Sequence, residues 1–262
     1  MVQSNWKLFA SANSLKNYLS LNEFSRLSIS SILYFISGKL ASEICKRASS
    51  KLYFLRSASC YWVLMSSKSQ TEKKLPHGQT PIKRILRWGI DHPGITHSNP
   101  KINLKTYRLI VDGEVANPVT LSWDNVLKLP KTVSTSDFHC VEGWSVLNCK
   151  WEGVHFKDIA NLVKPMETTK FATFECADGY TTSLTLNELA GDDVLLAYKL
   201  DGKELEEGLG FPLRLIVPSK YAYKSALWVT HVRFTSKKEL GFWEKRGYSD
   251  TADVWKNDRF SR

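Results

Sequence analysis

The first 67 residues contain no proline and no aspartate, and Gly38 is their only glycine. Their longest uncharged stretch lies between Arg26 and Lys39, runs twelve residues and is broken up by serine. A membrane-spanning helix needs about 20 apolar residues, so a conventional transmembrane segment is not expected. No pair of adjacent arginines leads into an apolar stretch, so nothing supports export of the folded chain. The five cysteines (Cys45, Cys60, Cys140, Cys149 and Cys176) show no tight spacing, form no Cys-x-x-Cys and leave one unpaired. That argues against a disulfide framework and for a reducing, cytoplasmic compartment. The later residues show no basic stripe interleaved with aromatics, so nucleic acid is not an expected partner.

What the early segment does hold is serine and positive charge. Sixteen of its 67 residues are serine, and eight Lys/Arg face only Glu23 and Glu43. It therefore carries +6 of the formal +10, leaving +4 for the other 195 residues. Serine-rich, basic and acid-poor is the composition of an organelle transit peptide, so one reading is a targeting or membrane-surface segment through residues 1–64. The other is a plain upstream extension, because Met65 opens a polar run, Met65-Ser66-Ser67-Lys68, that suits a chain start. The expected division is an extension over residues 1–67 and one domain over 68–262, with ample length for a core.

From Tyr107 the punctuation becomes regular. Residues 107–111 read as a strand closed by Asp112-Gly113. Ser122 is placed to cap a short helix through Leu129, which Pro130 ends. Phe156, Ile159, Leu162 and Val163 form an apolar stripe at helical spacing, stopped by Pro165. Residues 171–176 and 180–184 flank the turn pair Asp178-Gly179. Thr185-Leu186-Asn187-Glu188 matches a capping box. Residues 194–200, 213–217 and 229–234 read as further strands. Short helices and strands interleave without regular crossovers, which predicts one α+β domain with no internal repeat.

Cys140 stands in Asp137-Phe138-His139-Cys140-Val141-Glu142-Gly143-Trp144-Ser145-Val146. A lone thiol there has several readings. It can be an inert buried residue. It can ligate zinc with His139, Cys149 and His155, although those spacings match no usual finger or ribbon. It can be a nucleophile served by a histidine, or the soft ligand of a transition metal.

The run closely resembles the metal-ligand segment of the sulfite oxidase-like molybdopterin oxidoreductases. Similarity continues in Leu75-Pro76-His77-Gly78-Gln79, in Gly210-Phe211-Pro212-Leu213-Arg214-Leu215-Ile216-Val217-Pro218, in residues 220–228, and in Gly241-Phe242-Trp243-Glu244-Lys245-Arg246-Gly247-Tyr248 through Trp255. The resemblance implies the mixed fold of that molybdopterin-binding domain. It implies that Cys140 binds molybdenum held by a pterin dithiolene. It also implies that Arg214 and the Ser225-Ala226-Leu227 backbone take the pterin's terminal phosphate, with Lys224 as an electrostatic helper. Cys176 aligns with a pterin-touching position of related reductases, against the plainer reading of a strand-end core residue. Trp144 is expected as a wall of the metal loop, Tyr198 as core, and residues 241–255 as an aromatic strap. His92-Pro93-Gly94 resembles a haem-binding loop, but the rest of that domain is absent, so haem is not expected.

Two departures stand out. Sulfite oxidases carry histidine where Leu209 stands and lysine where Leu227 stands, so either Lys220 or Lys224 substitutes or pterin binding is altered. Glu142 follows the cysteine in a region that is arginine-rich in true sulfite oxidases. Its charge would repel sulfite, which favours a neutral oxygen donor such as a sulfoxide. The resulting expectation is oxygen-atom transfer to or from a small sulfur substrate, with electrons exchanged with a separate carrier protein. The alternative is a domain that keeps the fold and binds pterin or a partner without turnover.

Overall fold

Leu109 and Val111 are buried on one face of a strand whose Arg108 and Ile110 face solvent, the period-two alternation that a half-covered sheet requires. The computed structural model describes residues 74–95 and 99–261. The expectations placed on residues 1–64 and 1–67 lie outside the described residues. Within them no helix is long and apolar enough to cross a membrane.

Eleven strands are described: β1 (Thr80–Pro81), β2 (Arg108–Gly113), β3 (Val119–Ser122), β4 (Lys131–His139), β5 (Trp144–His155), β6 (Phe171–Cys176), β7 (Thr181–Thr185), β8 (Leu195–Leu200), β9 (Lys203–Glu204), β10 (Arg214–Ile216) and β11 (Val229–Thr235). Three short helices join them, α1 (Trp123–Lys128), α2 (Phe156–Val163) and α3 (Leu186–Leu189). One sheet runs β3-β2-β11-β6-β7. The other runs β1-β5-β8-β10, with β4 added to β5 and β9 to β8. Pairing is antiparallel except for β2 with β11 and β1 with β5. The α+β expectation holds.

Local chemistry sets the boundaries. Ser122 accepts from the Asn125 amide, and Asn125 reaches back to the cap, so α1 starts where expected. The same reciprocal pair between Thr185 and Glu188 opens α3. The stripe on α2 is narrower than its sequence implies, because Phe156, Ile159 and Val163 are buried while Leu162 is exposed. Gly113 ends β2 at φ +92°, and a Cβ there would lie 2.2 Å from the Phe234 carbonyl oxygen. No side chain fits that approach.

The six-stranded sheet is covered on both faces, which explains the continuous apolar run of β8. Leu196 joins Leu215, Val154, Phe174 and Phe234 in the core between the sheets. Leu195 and Ala197 point the other way, to Phe138, Trp151, Ile85 and Ile216. Trp151 and Arg214 are both fully enclosed on this second side, and there the strands hand over to the loops of the candidate site.

Candidate active site

Cys140 sits in the four-residue connection between β4 and β5. Its amide donates to the Trp144 carbonyl (2.8 Å), and its own carbonyl accepts from the Gly143 amide (3.1 Å), which closes a tight turn. Gly143 has φ +99°, and its carbonyl receives the Thr80 amide at 2.8 Å. The thiol faces a cleft that opens to solvent on one side. Phe138, Trp144, Trp228, Trp243 and Tyr248 supply much of the wall. Trp144 thus lies beside the thiol as expected, and Trp243 and Tyr248 of the strap reach the cleft as well.

Arg214, Ser225, Ala226 and Leu227 line the same cleft as Cys140. Arg214 is 2% exposed and lies over the rings of Phe138 (5.0 Å) and Trp151 (5.5 Å). Its Nη1 donates to the Leu209 carbonyl (3.0 Å) and its Nη2 to the Ser225 carbonyl (3.3 Å). Its Nε is buried with no partner, and among the described residues no carboxylate pairs with it. Burial lowers its pKa to about 10, so it still carries its charge at neutral pH. An enclosed, uncompensated guanidinium is costly unless an anion meets it. The Ala226 and Leu227 amides beside it donate to no group among the described residues. This donor set fits a phosphate.

Cys140 is 7% exposed, and burial pushes its thiol up to about 12. A thiolate therefore forms there only against a strong cation, which suits a metal ligand and not a free nucleophile. The histidine next to it is turned away, with His139 Nδ1 2.7 Å from Ser145 Oγ. The zinc reading fails on position. Cys149 lies against the Val146 carbonyl, and His155, six residues further along β5, caps α2. Six strand residues separate these groups by about 20 Å. Among the described residues no three His, Cys, Asp or Glu side chains gather as a metal site.

Three expectations need correction. Lys224 is not a helper at the cleft. Its ammonium is buried against Glu244 and donates to the Ser183 carbonyl (3.0 Å). Lys220 is likewise held by Glu188 at 2.5 Å, so neither lysine replaces the charge missing at Leu227. Cys176 points into the core between the sheets and does not line the cleft. Its backbone closes the Asp178-Gly179 turn, with its amide 3.0 Å from the Tyr180 carbonyl. Tyr198 is core, edge-on to Trp123 at 6.1 Å.

The structure also joins residues around the thiol whose contacts the sequence did not show. His92 stacks on Trp88 with ring centroids 4.3 Å apart, and its Nε2 lies 2.7 Å from Glu142 Oε1. Glu142 Oε2 receives Trp144 Nε1 at 3.2 Å and lies 3.8 Å from Cys140 Sγ. Burial opposes its charge, but the His92 and Trp144 hydrogen bonds outweigh burial and hold the carboxyl below its ordinary pKa. Asp178 reaches the cleft from the β6–β7 turn, and burial raises its pKa. A turn pair such as Asp178-Gly179 signals only local geometry, which is why its place in the cleft was not legible.

Known proteins carry the same arrangement of sequence. A family model described as oxidoreductase molybdopterin binding domain matches residues 96–243. Uncharacterized oxidoreductase YuiH of Bacillus subtilis is 38% identical over 159 residues, which cover 61% of this chain and 80% of that protein. The protein-methionine-sulfoxide reductase catalytic subunit MsrP of Campylobacter jejuni is 29% identical over 165 residues, 56% of this chain and 55% of the reductase. This chain thus spans only about half the length of MsrP. The crystal structure of the sulfane dehydrogenase SoxCD from Paracoccus pantotrophus superposes with a TM-score of 0.52 at 20% identity, over 60% of this chain and 43% of that one. That likeness bears on the fold. The chain belongs to the molybdopterin-binding oxidoreductase family, in its sulfite oxidase-like group.

Proposed function

We propose that this chain is the catalytic domain of a molybdenum-molybdopterin enzyme that removes an oxygen atom from a small sulfoxide. The observation that carries the reading is the meeting of the Cys140 thiol and the unpaired Arg214 guanidinium on the walls of one cleft. Cys140 would hold the metal, while Arg214 with the Ala226 and Leu227 amides would hold the pterin phosphate; the Ser225 amide, expected there too, is spent on the Ala222 carbonyl at 2.9 Å. Bound there, the cofactor supplies two-electron redox chemistry and a site for the transferred oxygen.

The chain's own contributions follow from the cleft. Its aromatic walls exclude water and suit an uncharged, polarisable sulfur compound. The Glu142 carboxylate, fixed by His92 and Trp144, places negative charge beside Cys140 and opposes a sulfite dianion. Overall, sulfoxide, two electrons and two protons give thioether and water. Asp178, a carboxyl that burial makes more basic than usual, lies on the wall where it can pass protons on. The electrons come from a separate carrier protein.

Purified protein should hold molybdenum near one atom per chain and reduce sulfoxides with a dye donor faster than it oxidises sulfite. Faster sulfite turnover would reverse the direction. Bound pterin without turnover of either substrate would favour the non-catalytic reading, for which Leu209 and Leu227 speak.

Arg214→Met separates binding from folding. Cofactor retention should fall by about 10–100-fold, the usual cost of losing a partner of a bound cofactor. The urea midpoint of cofactor-free protein should change little, because removing an unpaired buried charge offsets the two lost carbonyl contacts. Unchanged cofactor content would remove Arg214 from the phosphate site.

A further inference from the structure

Two carbonyls of the turn that carries Cys140 are held by side chains remote in sequence. Gln79 Nε2 donates to the Cys140 carbonyl at 3.0 Å. Gln79 Oε1 in turn accepts from Ser145 Oγ at 2.8 Å, which ties the amide to the first residues of β5. From the other side, Arg259 Nη1 donates to the Val141 carbonyl, and its Nη2 donates to the Gly78 carbonyl at 3.2 Å. Arg259 Nε is spent on Asn257 Oδ1 at 2.8 Å, and Asn257 Oδ1 also receives the Tyr221 hydroxyl at 3.1 Å. The guanidinium lies over the Tyr221 ring, 5.2 Å from its centroid.

All three nitrogens of Arg259 are therefore engaged, and among the described residues none of them on a carboxylate. A planar fork is the geometry that can span two carbonyls from different segments at once, which an ammonium cannot reproduce. Neither Gln79 nor Arg259 falls within residues 96–243, where the family model matches.

We infer that Gln79 and Arg259 are positioning residues that lock the Cys140 turn and so keep the thiol aimed into the cleft. They act through the Cys140 and Val141 carbonyls and touch neither substrate nor cofactor. The inference concerns the turn in cofactor-free protein. It rests on the proposed function only for the catalytic meaning of Cys140.

The test is alkylation of the cofactor-free full chain with iodoacetamide, with labelling at Cys140, Cys149 and Cys176 followed separately by mass spectrometry. Arg259→Ala should speed labelling at Cys140 by about tenfold while leaving Cys149 and Cys176 unchanged, as expected when one charge-assisted hydrogen bond is lost from a local opening equilibrium. Gln79→Ala should do the same to a smaller degree. Arg259→Lys should fall between parent and alanine, because it restores one contact and not the span. Equal acceleration at all three cysteines would mean general loosening and would overturn the inference, as would unchanged Cys140 labelling in folded Arg259→Ala and Gln79→Ala. An enzyme that turned out to bind no molybdenum would leave this result standing, so the two failures are distinguishable.

Discussion

Turnover in Cys140→Ser is expected to fall by at least about 10³-fold, while the melting temperature stays within a few degrees of the parent. The serine hydroxyl neither ionises at neutral pH nor offers the soft donor that a transition metal held by sulfur requires. The fold should not notice the change. The turn is built from backbone groups, the Cys140 amide on Trp144 and the Cys140 carbonyl on Gly143 and Gln79, and serine keeps all of them. Steady-state rates on a sulfoxide, read beside a circular dichroism melt, check both halves. A folded variant within about tenfold of the parent would refute the ligand assignment.

Lys224→Met is expected to cost about 3–5 kcal/mol of stability, the loss seen when one partner of a buried ion pair is removed. Lys224 and Glu244 side chains are each 1% exposed, so the deserted carboxylate has no water to turn to. Burial pulls the Lys224 ammonium below its ordinary pKa, and Glu244 opposes that pull. Glu244 also accepts from Thr182 Oγ1 at 2.9 Å, so its loss would loosen β7 as well. Urea unfolding of Lys224→Met and of the double variant Lys224→Met with Glu244→Leu measures this. The double variant should regain part of the loss, because two apolar groups replace two charges while Thr182 Oγ1 and the Ser183 carbonyl are left without their partners. A single-variant cost below about 1 kcal/mol would contradict the pairing.

The parts of this molecule written in local chemistry were readable in advance. Ser122 and Thr185 cap helices through groups three residues away, and the strands 171–176 and 229–234 announce themselves by composition. Cys140 and Arg214 stood out because the motif around each resembles known cofactor-binding segments. The β4–β5 hairpin was not seen, although it carries the thiol. Lys131 to Ser136 alternates charged, hydroxyl and single apolar residues with little burial, and a bulge between Ser136 and Phe138 breaks the register. The misassignment of Lys224 has a different cause. Its position in a basic turn is local, but its partner Glu244 lies 20 residues on, and nothing in the turn records that pairing. The roles of Gln79, seen only as part of a matching run, and of Arg259 were hidden for the same reason, since a side chain that recognises a carbonyl needs no particular residue opposite it.

The long reach of Arg259 sets an order of events during synthesis. Val141 and Arg259 are 118 positions apart. At 5–20 residues per second, roughly 6–24 s pass between the appearance of one and of the other on the ribosome. Arg214, residues 225–227, Trp243 and Tyr248 are all made within the same interval, so the arginine that ties down the turn is added after every other residue that lines the cleft.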